Sequence, residues 1–110
     1  MNKYVTLGDV LKNFKDFKSS EELFLLDEEM WGEDTKGMLL DLEGLKDETE
    51  VMKNVKEKQN MVHTDLGISD IKDIVDNAYL QKENCSLNEL IKAFIFYYNN
   101  DAFINFEENI

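Results

Sequence analysis

The run Leu23-Phe24-Leu25-Leu26 limits what this chain can fold into more than any other segment. Successive side chains of a strand point to opposite faces, so four apolar residues in a row need cover on both sides. Such a strand is expected to lie centrally in a sheet or beneath helices. A second apolar run, Gly37 to Leu42, follows after an interruption rich in acids. The two read as strands joined by a long acidic loop, and loops of that length inside small domains are often functional. Met61 to Leu66, leading into Gly67, reads as a third strand.

Helix signals flank these strands. Thr6 with Asp9 three residues later is a variant capping box, and Val5 and Val10 are placed as its hydrophobic staple. Leu7, Val10, Leu11, Phe14 and Phe17 then line one face while Lys12, Asn13 and Lys15 point to water. Val51, Met52 and Val55 fit a short amphipathic helix capped by Asp47 or Thr49. Ser69 is placed to cap a helix carrying Ile71, Ile74, Val75, Ala78 and Tyr79 on one face. Ser86-Leu87-Asn88-Glu89 is a full capping box, opening the most apolar helix of the chain, through Leu90, Ile91, Phe94, Ile95, Tyr97 and Tyr98. That helix ends at a turn over Asn99-Asn100-Asp101, and Ala102 to Phe106 is apolar enough to dock on the body. The expected class is α+β: a small antiparallel or mixed sheet of about three strands, packed by an N-terminal helix and two C-terminal helices.

With 110 residues, 43% of them hydrophobic, the chain reads as one globular domain spanning 1–110. It has no proline, no repeat and no low-complexity tract that would mark a linker. The opening MNKYVTLGDVLKNF contains no apolar signal core, and no stretch reaches the roughly 18 apolar residues of a membrane span. A soluble, cytoplasmic protein is expected. The single Cys85 has no partner for an internal disulfide.

Charge narrows the choice of partner. Between Asp16 and Glu50 lie thirteen acids and three lysines, which is ten of the twelve net negative charges of the chain. Within this stretch Asp27-Glu28-Glu29-Met30-Trp31-Gly32-Glu33-Asp34 places the only tryptophan among five carboxylates and no lysine. Nucleic acids and anionic membrane surfaces are themselves polyanions and would be repelled, so a basic protein is the natural complement. All twelve cations are lysines, so the planar fork used for bidentate phosphate capture is missing. Trp31 admits three readings: it folds into the core, it anchors a hetero-interface ringed by steering charges, or it forms a homodimer contact. Five carboxylates facing their symmetry mates would repel, which favours the hetero-partner, with a homodimer still open elsewhere. The candidate partner-binding residues are Asp27, Glu28, Glu29, Met30, Trp31, Glu33 and Asp34, extended by Asp41, Glu43, Asp47 and Glu48.

Catalytic signals are weak. His63, the only histidine, stands beside Asp65 with no second His or Cys at ligand spacing, so no metal is expected. Cys85 precedes a helix start, where the helix N-terminus can lower a thiol's pKa, but nucleophilic catalysis also needs a base, so a packed, inert thiol is expected. Twenty-four acids make paired carboxylates uninformative, and the 27–34 run lacks the spacing of a calcium loop. The glycines form no phosphate cradle. No enzyme activity and no cofactor are expected.

The stretches LGDVLKNF, LFLLDEEMW with DTKGMLLDLE, and DIVDNAYLQKENCSLNELIKAFIFYYNNDAFINF resemble the small acidic immunity proteins of bacterial toxin–immunity systems, in particular those of contact-dependent growth inhibition. The resemblance implies a cytosolic protein that binds a cognate toxin domain and blocks it stoichiometrically, the toxin being commonly a basic nuclease, an RNase or DNase. A different class remains as the alternative: a polyanion mimic that occupies the nucleic-acid groove of a DNA-binding enzyme. A small enzyme is a third reading, and it requires a pocket that brings His63 to Cys85 or to a carboxylate cluster.

Overall fold

The computed structural model describes residues 3–43 and 47–107. Strand β1 (Lys3–Thr6) runs directly into helix α1 (Leu7–Asn13), which closes in a 3-10 turn at Phe14–Asp16. Strands β2 (Glu21–Leu26) and β3 (Lys36–Asp41) form a hairpin, followed by helix α2 (Glu48–Gln59), strand β4 (Met61–Gly67) and helices α3 (Ile68–Gln81) and α4 (Leu87–Asn100). All pairings are antiparallel and the strand order is β1-β3-β2-β4. The class is α+β, as expected.

The apolar run of β2 explains the layering. Leu23 and Leu25, with Leu39 of β3, face α1, α3 and α4 in the larger core, where Leu7, Leu11, Ile71 and Phe94 are fully buried. Phe24 and, from β3, Met38 and Leu40 face the other way, under Val55 of α2 and beside Met61. β2 is therefore an inner strand covered on both faces, the position its four consecutive apolar residues demanded.

The sheet has one strand more than expected, and the helix expected to be short around Val51–Val55 is a full element of the fold. β1 pairs along β3 with Tyr4 opposite Met38, adding a fourth strand at the sheet edge. α2 reaches twelve residues and covers the sheet face opposite the other helices. Its N-cap position is Asp47, which makes no side-chain cap bond.

Local starts and stops follow the sequence in most places. Thr6 Oγ1 accepts the Asp9 N–H at 3.1 Å, and Ser86 and Glu89 exchange reciprocal cap bonds at 3.0 and 3.2 Å. Ser69 does not cap α3. The helix begins two residues earlier, with Gly67 at the N-cap, and the Asp70 carboxylate reaches back to the Gly67 N–H at 2.9 Å. Tyr79, expected on the buried face of α3, is 45% exposed. The docked C-terminal segment is irregular: Ile104 is buried, and Gln81 bonds both the Ile104 carbonyl and the Phe106 amide.

Candidate functional site

The β2–β3 hairpin carries the acidic tryptophan segment as its loop, residues 27–35, and that loop is braced from three sides. The Asp27 N–H donates to the carbonyl of Asn60 at 2.8 Å, in the turn between α2 and β4 where Asn60 holds a left-handed φ of 53°. The carbonyls of Thr35 and Glu33 accept the Leu7 and Gly8 N–H groups at 2.9 and 3.0 Å, so the loop backbone satisfies free amides in the first turn of α1. The approach is close enough that a Cβ on Gly8 would lie 2.9 Å from the Glu33 carbonyl oxygen. Inside the loop, buried Thr35 accepts the Gly32 N–H and donates to Glu28 Oε1, both at 2.8 Å.

Trp31 is half-buried, neither sunk wholly in the core nor free of it. Its Nε1–H donates to the Leu26 carbonyl at 3.0 Å, and its ring meets Tyr98 edge-on with centroids 4.9 Å apart and lies 6.1 Å from Phe94. One side of the indole thus belongs to the core and holds the loop to α4. Met30 beside it is 83% exposed. Asp27, Glu28, Glu29, Met30 and Trp31 form one wall of a groove of about 390 Å³, and Val62 of β4 with Ile95, Tyr98 and Asn99 of α4 complete it. The volume is at the small end of ligand-sized clefts. Aromatic and aliphatic carbons make the floor, and carboxylates make one rim.

Lys72 pairs with Asp76 and Lys82 with Glu89, while the His63 ring nitrogens lie within hydrogen-bond distance of Glu22 and Asp65. No described lysine pairs with an acid of the 27–34 run. Among the described residues these charges meet no internal cation that would spend them.

The structure does not bring all the expected binding residues together. Glu33 and Asp34 lie across the loop, in a shallower depression with Leu26, Thr35 and Lys36. Asp41, Glu43, Asp47 and Glu48 are at the opposite end of the hairpin, since Leu25 pairs with Gly37 while Glu21 pairs with Asp41, four strand residues, or roughly 14 Å, away. There Asp41 Oδ1 accepts the Glu43 N–H at 3.1 Å, and Glu48 lies in the first turn of α2, where a carboxylate favours the helix dipole. The nearby depression is lined by polar residues of α2, Asp47, Glu48, Thr49, Glu50, Lys53, Asn54 and Glu57. The site expected as one patch is two. Conversely, Val62, Ile95, Tyr98 and Asn99 belong to the groove although they were read as strand, core helix or turn.

His63 and Cys85 are held apart by the sheet. The imidazole stacks on Phe24 at 4.6 Å, on the α2 side, with Glu22 Oε1 2.7 Å from Nε2 and Asp65 Oδ1 3.2 Å from Nδ1. Cys85 packs on the other face, where its Sγ–H donates to the Ala78 carbonyl at 3.4 Å. Burial pushes its pKa up, the Glu89 charge adds to this, and Lys82 offsets it only in part, so the helix N-terminus does not produce the activated thiol its position allowed. Among the described residues no group of three or more His, Cys, Asp or Glu is arranged to hold a metal ion, and no helix is long and apolar enough to cross a membrane.

A family model matches residues 4–106, a span that takes in the whole groove. The chain belongs to that family, described as "Domain of unknown function (DUF7716)". The comparisons with curated proteins and with solved structures found no match.

Proposed function

We propose that this protein acts by binding a basic protein domain at the 27–31 groove, and that it is an immunity protein whose partner is a cognate toxin, an RNase or DNase neutralised stoichiometrically in the cytoplasm. The observation that carries the binding reading is the groove itself: acids paired with no described lysine stand beside an apolar floor that is open to solvent and set in a hydrogen-bonded loop. Steering and anchoring then divide between residues. The carboxylates of the loop accelerate encounter with a cationic surface, and Met30, already projecting into solvent, has the most area to lose on contact. Trp31 forms part of the floor and is fixed there by its bond to the Leu26 carbonyl. A complex of ordinary size buries ~1,600 Å² in total, enough to occlude a nuclease cleft. The toxin assignment rests on the resemblance of the sequence to immunity proteins.

The experiment is co-expression with the C-terminal domain of whatever protein the adjacent gene encodes, followed by affinity purification at high salt and a growth assay. A stable one-to-one complex and restored growth are expected, with an association rate that falls as salt is added. No complex and no rescue would end the toxin reading. Loose, salt-labile binding to several unrelated basic proteins, insensitive to Met30→Ala, would replace it with the polyanion mimic.

A further inference from the structure

The groove offers two kinds of chemistry at once, and together they specify one kind of visitor. Its floor is Trp31, Tyr98, Ile95 and Val62, whose side chains are carbon apart from the Tyr98 hydroxyl and the Trp31 Nε1–H, the latter spent on the Leu26 carbonyl. Its rim on the loop side is Asp27, Glu28 and Glu29, none of them paired with a described lysine. Glu28 is already committed through Oε1 to the Thr35 hydroxyl, which orients that carboxylate, while Asp27 and Glu29 are exposed. An apolar side chain entering here would satisfy the floor and leave the carboxylates without a partner. A bare cation would satisfy the rim and leave the aromatic carbon wet.

We propose that the groove receives an arginine side chain of the partner protein, its aliphatic stem on Ile95 and Val62, its guanidinium against the Trp31 and Tyr98 rings and bonded to the Asp27 and Glu29 carboxylates. The inference rests on the docking reading above and adds the identity of the group that enters. Three features select arginine. Its stem packs on apolar surface while the head stays at a polar rim. Its planar, weakly hydrated head stacks on aromatic rings, where an ammonium gains less. Its five donors can serve two separate carboxylates, which the compact lysine head serves less well. The bracing of the loop matters here, since a backbone tied to Asn60 and to α1 presents the Asp27 and Glu29 carboxylates from a chain segment that is already ordered when the guanidinium arrives.

Trp31 is the only tryptophan of the chain, so the emission of the intact protein reports on the groove directly. The test titrates it with blocked tripeptides Gly-X-Gly in which X is arginine, lysine, citrulline or norleucine, each at millimolar concentration. Indole and Tyr98 NMR shifts locate the binding. The arginine peptide is expected to bind in a saturable way, roughly tenfold tighter than the citrulline peptide, which has nearly the same shape without the charge. The Asp27→Asn, Glu29→Gln double variant, with its melting temperature checked, is expected to abolish that preference. Equal binding of norleucine and arginine would overturn the proposal and make the groove an apolar anchor, with the docking reading intact. Lysine equal to arginine would overturn the choice of a planar head. No response to any peptide would discard the inserted side chain, and complex formation with the toxin domain decides the docking reading separately.

Discussion

The two acidic ends of the β2–β3 hairpin have a similar density of carboxylates and differ in what surrounds them. At the 27–35 end the acids rim an apolar groove, and the backbone beneath them is fastened to α1 and to the α2–β4 turn. At the 41–48 end Asp41 accepts the neighbouring Glu43 amide and Glu48 sits in the first turn of α2, beside a depression with a polar lining. Negative charge alone attracts any cation. Charge next to braced carbon can hold one partner in one place, which is why the first end carries the functional reading and the second does not.

The largest expected effect comes from removing the carbon. Trp31→Ala deletes the Leu26 hydrogen bond and the Tyr98 and Phe94 contacts, so it should destabilise the fold by about 2–3 kcal/mol, less than a fully buried tryptophan, and weaken partner binding roughly a hundredfold. Urea midpoints and a binding titration separate the two losses. Met30→Ala is the cleaner probe, because a residue so exposed should lower affinity with almost no change in the midpoint.

Next is the bracing. Gly8→Ala drives a methyl group into the Glu33 carbonyl at 2.9 Å, where backbone rather than a flexible side chain must give way. A cost of about 1–3 kcal/mol is expected, and an unchanged urea midpoint would show that the loop is not fastened to α1 as described. Thr35→Val keeps the shape and removes the hydroxyl that joins Gly32 to Glu28. About 1–2 kcal/mol should be lost, measured by chemical denaturation.

Charge neutralisation tests the comparison directly. Asp27→Asn with Glu29→Gln should slow association with a basic partner roughly tenfold at low salt, whereas Asp47→Asn with Glu48→Gln should change it by less than about twofold. Equal effects from both pairs, in stopped-flow measurements, would favour the polyanion mimic.

The smallest effect concerns an acid that the fold does use. The Glu89 carboxyl is lowered from 4.5 to about 2, first by the Lys82 ammonium at 2.6 Å and then by the Ser86 amide. Because the folded value is the depressed one, the stabilisation is present above pH 4.5 and disappears as pH falls toward 2. Glu89→Gln should therefore melt slightly below the parent at neutral pH and together with it near pH 2, as followed by circular dichroism.

Sequence and structure agree best where a signal is local. The apolar run of β2, the face of α1 and the box at Ser86 are patterns of a few residues, and each appears where its pattern places it. β1 escaped notice because Lys3-Tyr4-Val5-Thr6 is too short to show alternation and its partner, β3, lies some thirty residues away. α2 was faint because only Val55 of its face is fully buried, with Val51 and Met52 half covered. Half of the site was legible, since Trp31 among its acids is contiguous. The other wall was not, because Ile95 and Tyr98 look like any other apolar positions of α4 until the packing of that helix is known. The separation of the two acidic groups was within reach of the sequence: once Leu23–Leu26 and Gly37–Leu42 are read as a hairpin, its loop and its open end must lie a strand's length apart.

One consequence of the loop's attachment concerns what an observer could detect from a distance. The Leu7 and Gly8 amides are donated to the carbonyls of Thr35 and Glu33, on the far side of the loop from the groove. Their exchange with deuterium is thus gated by excursions of that loop. A partner seated in the groove would quiet those excursions and slow the exchange of two amides that it never touches. Those amides would serve as built-in gauges of occupancy, readable in the intact complex without any label on the partner.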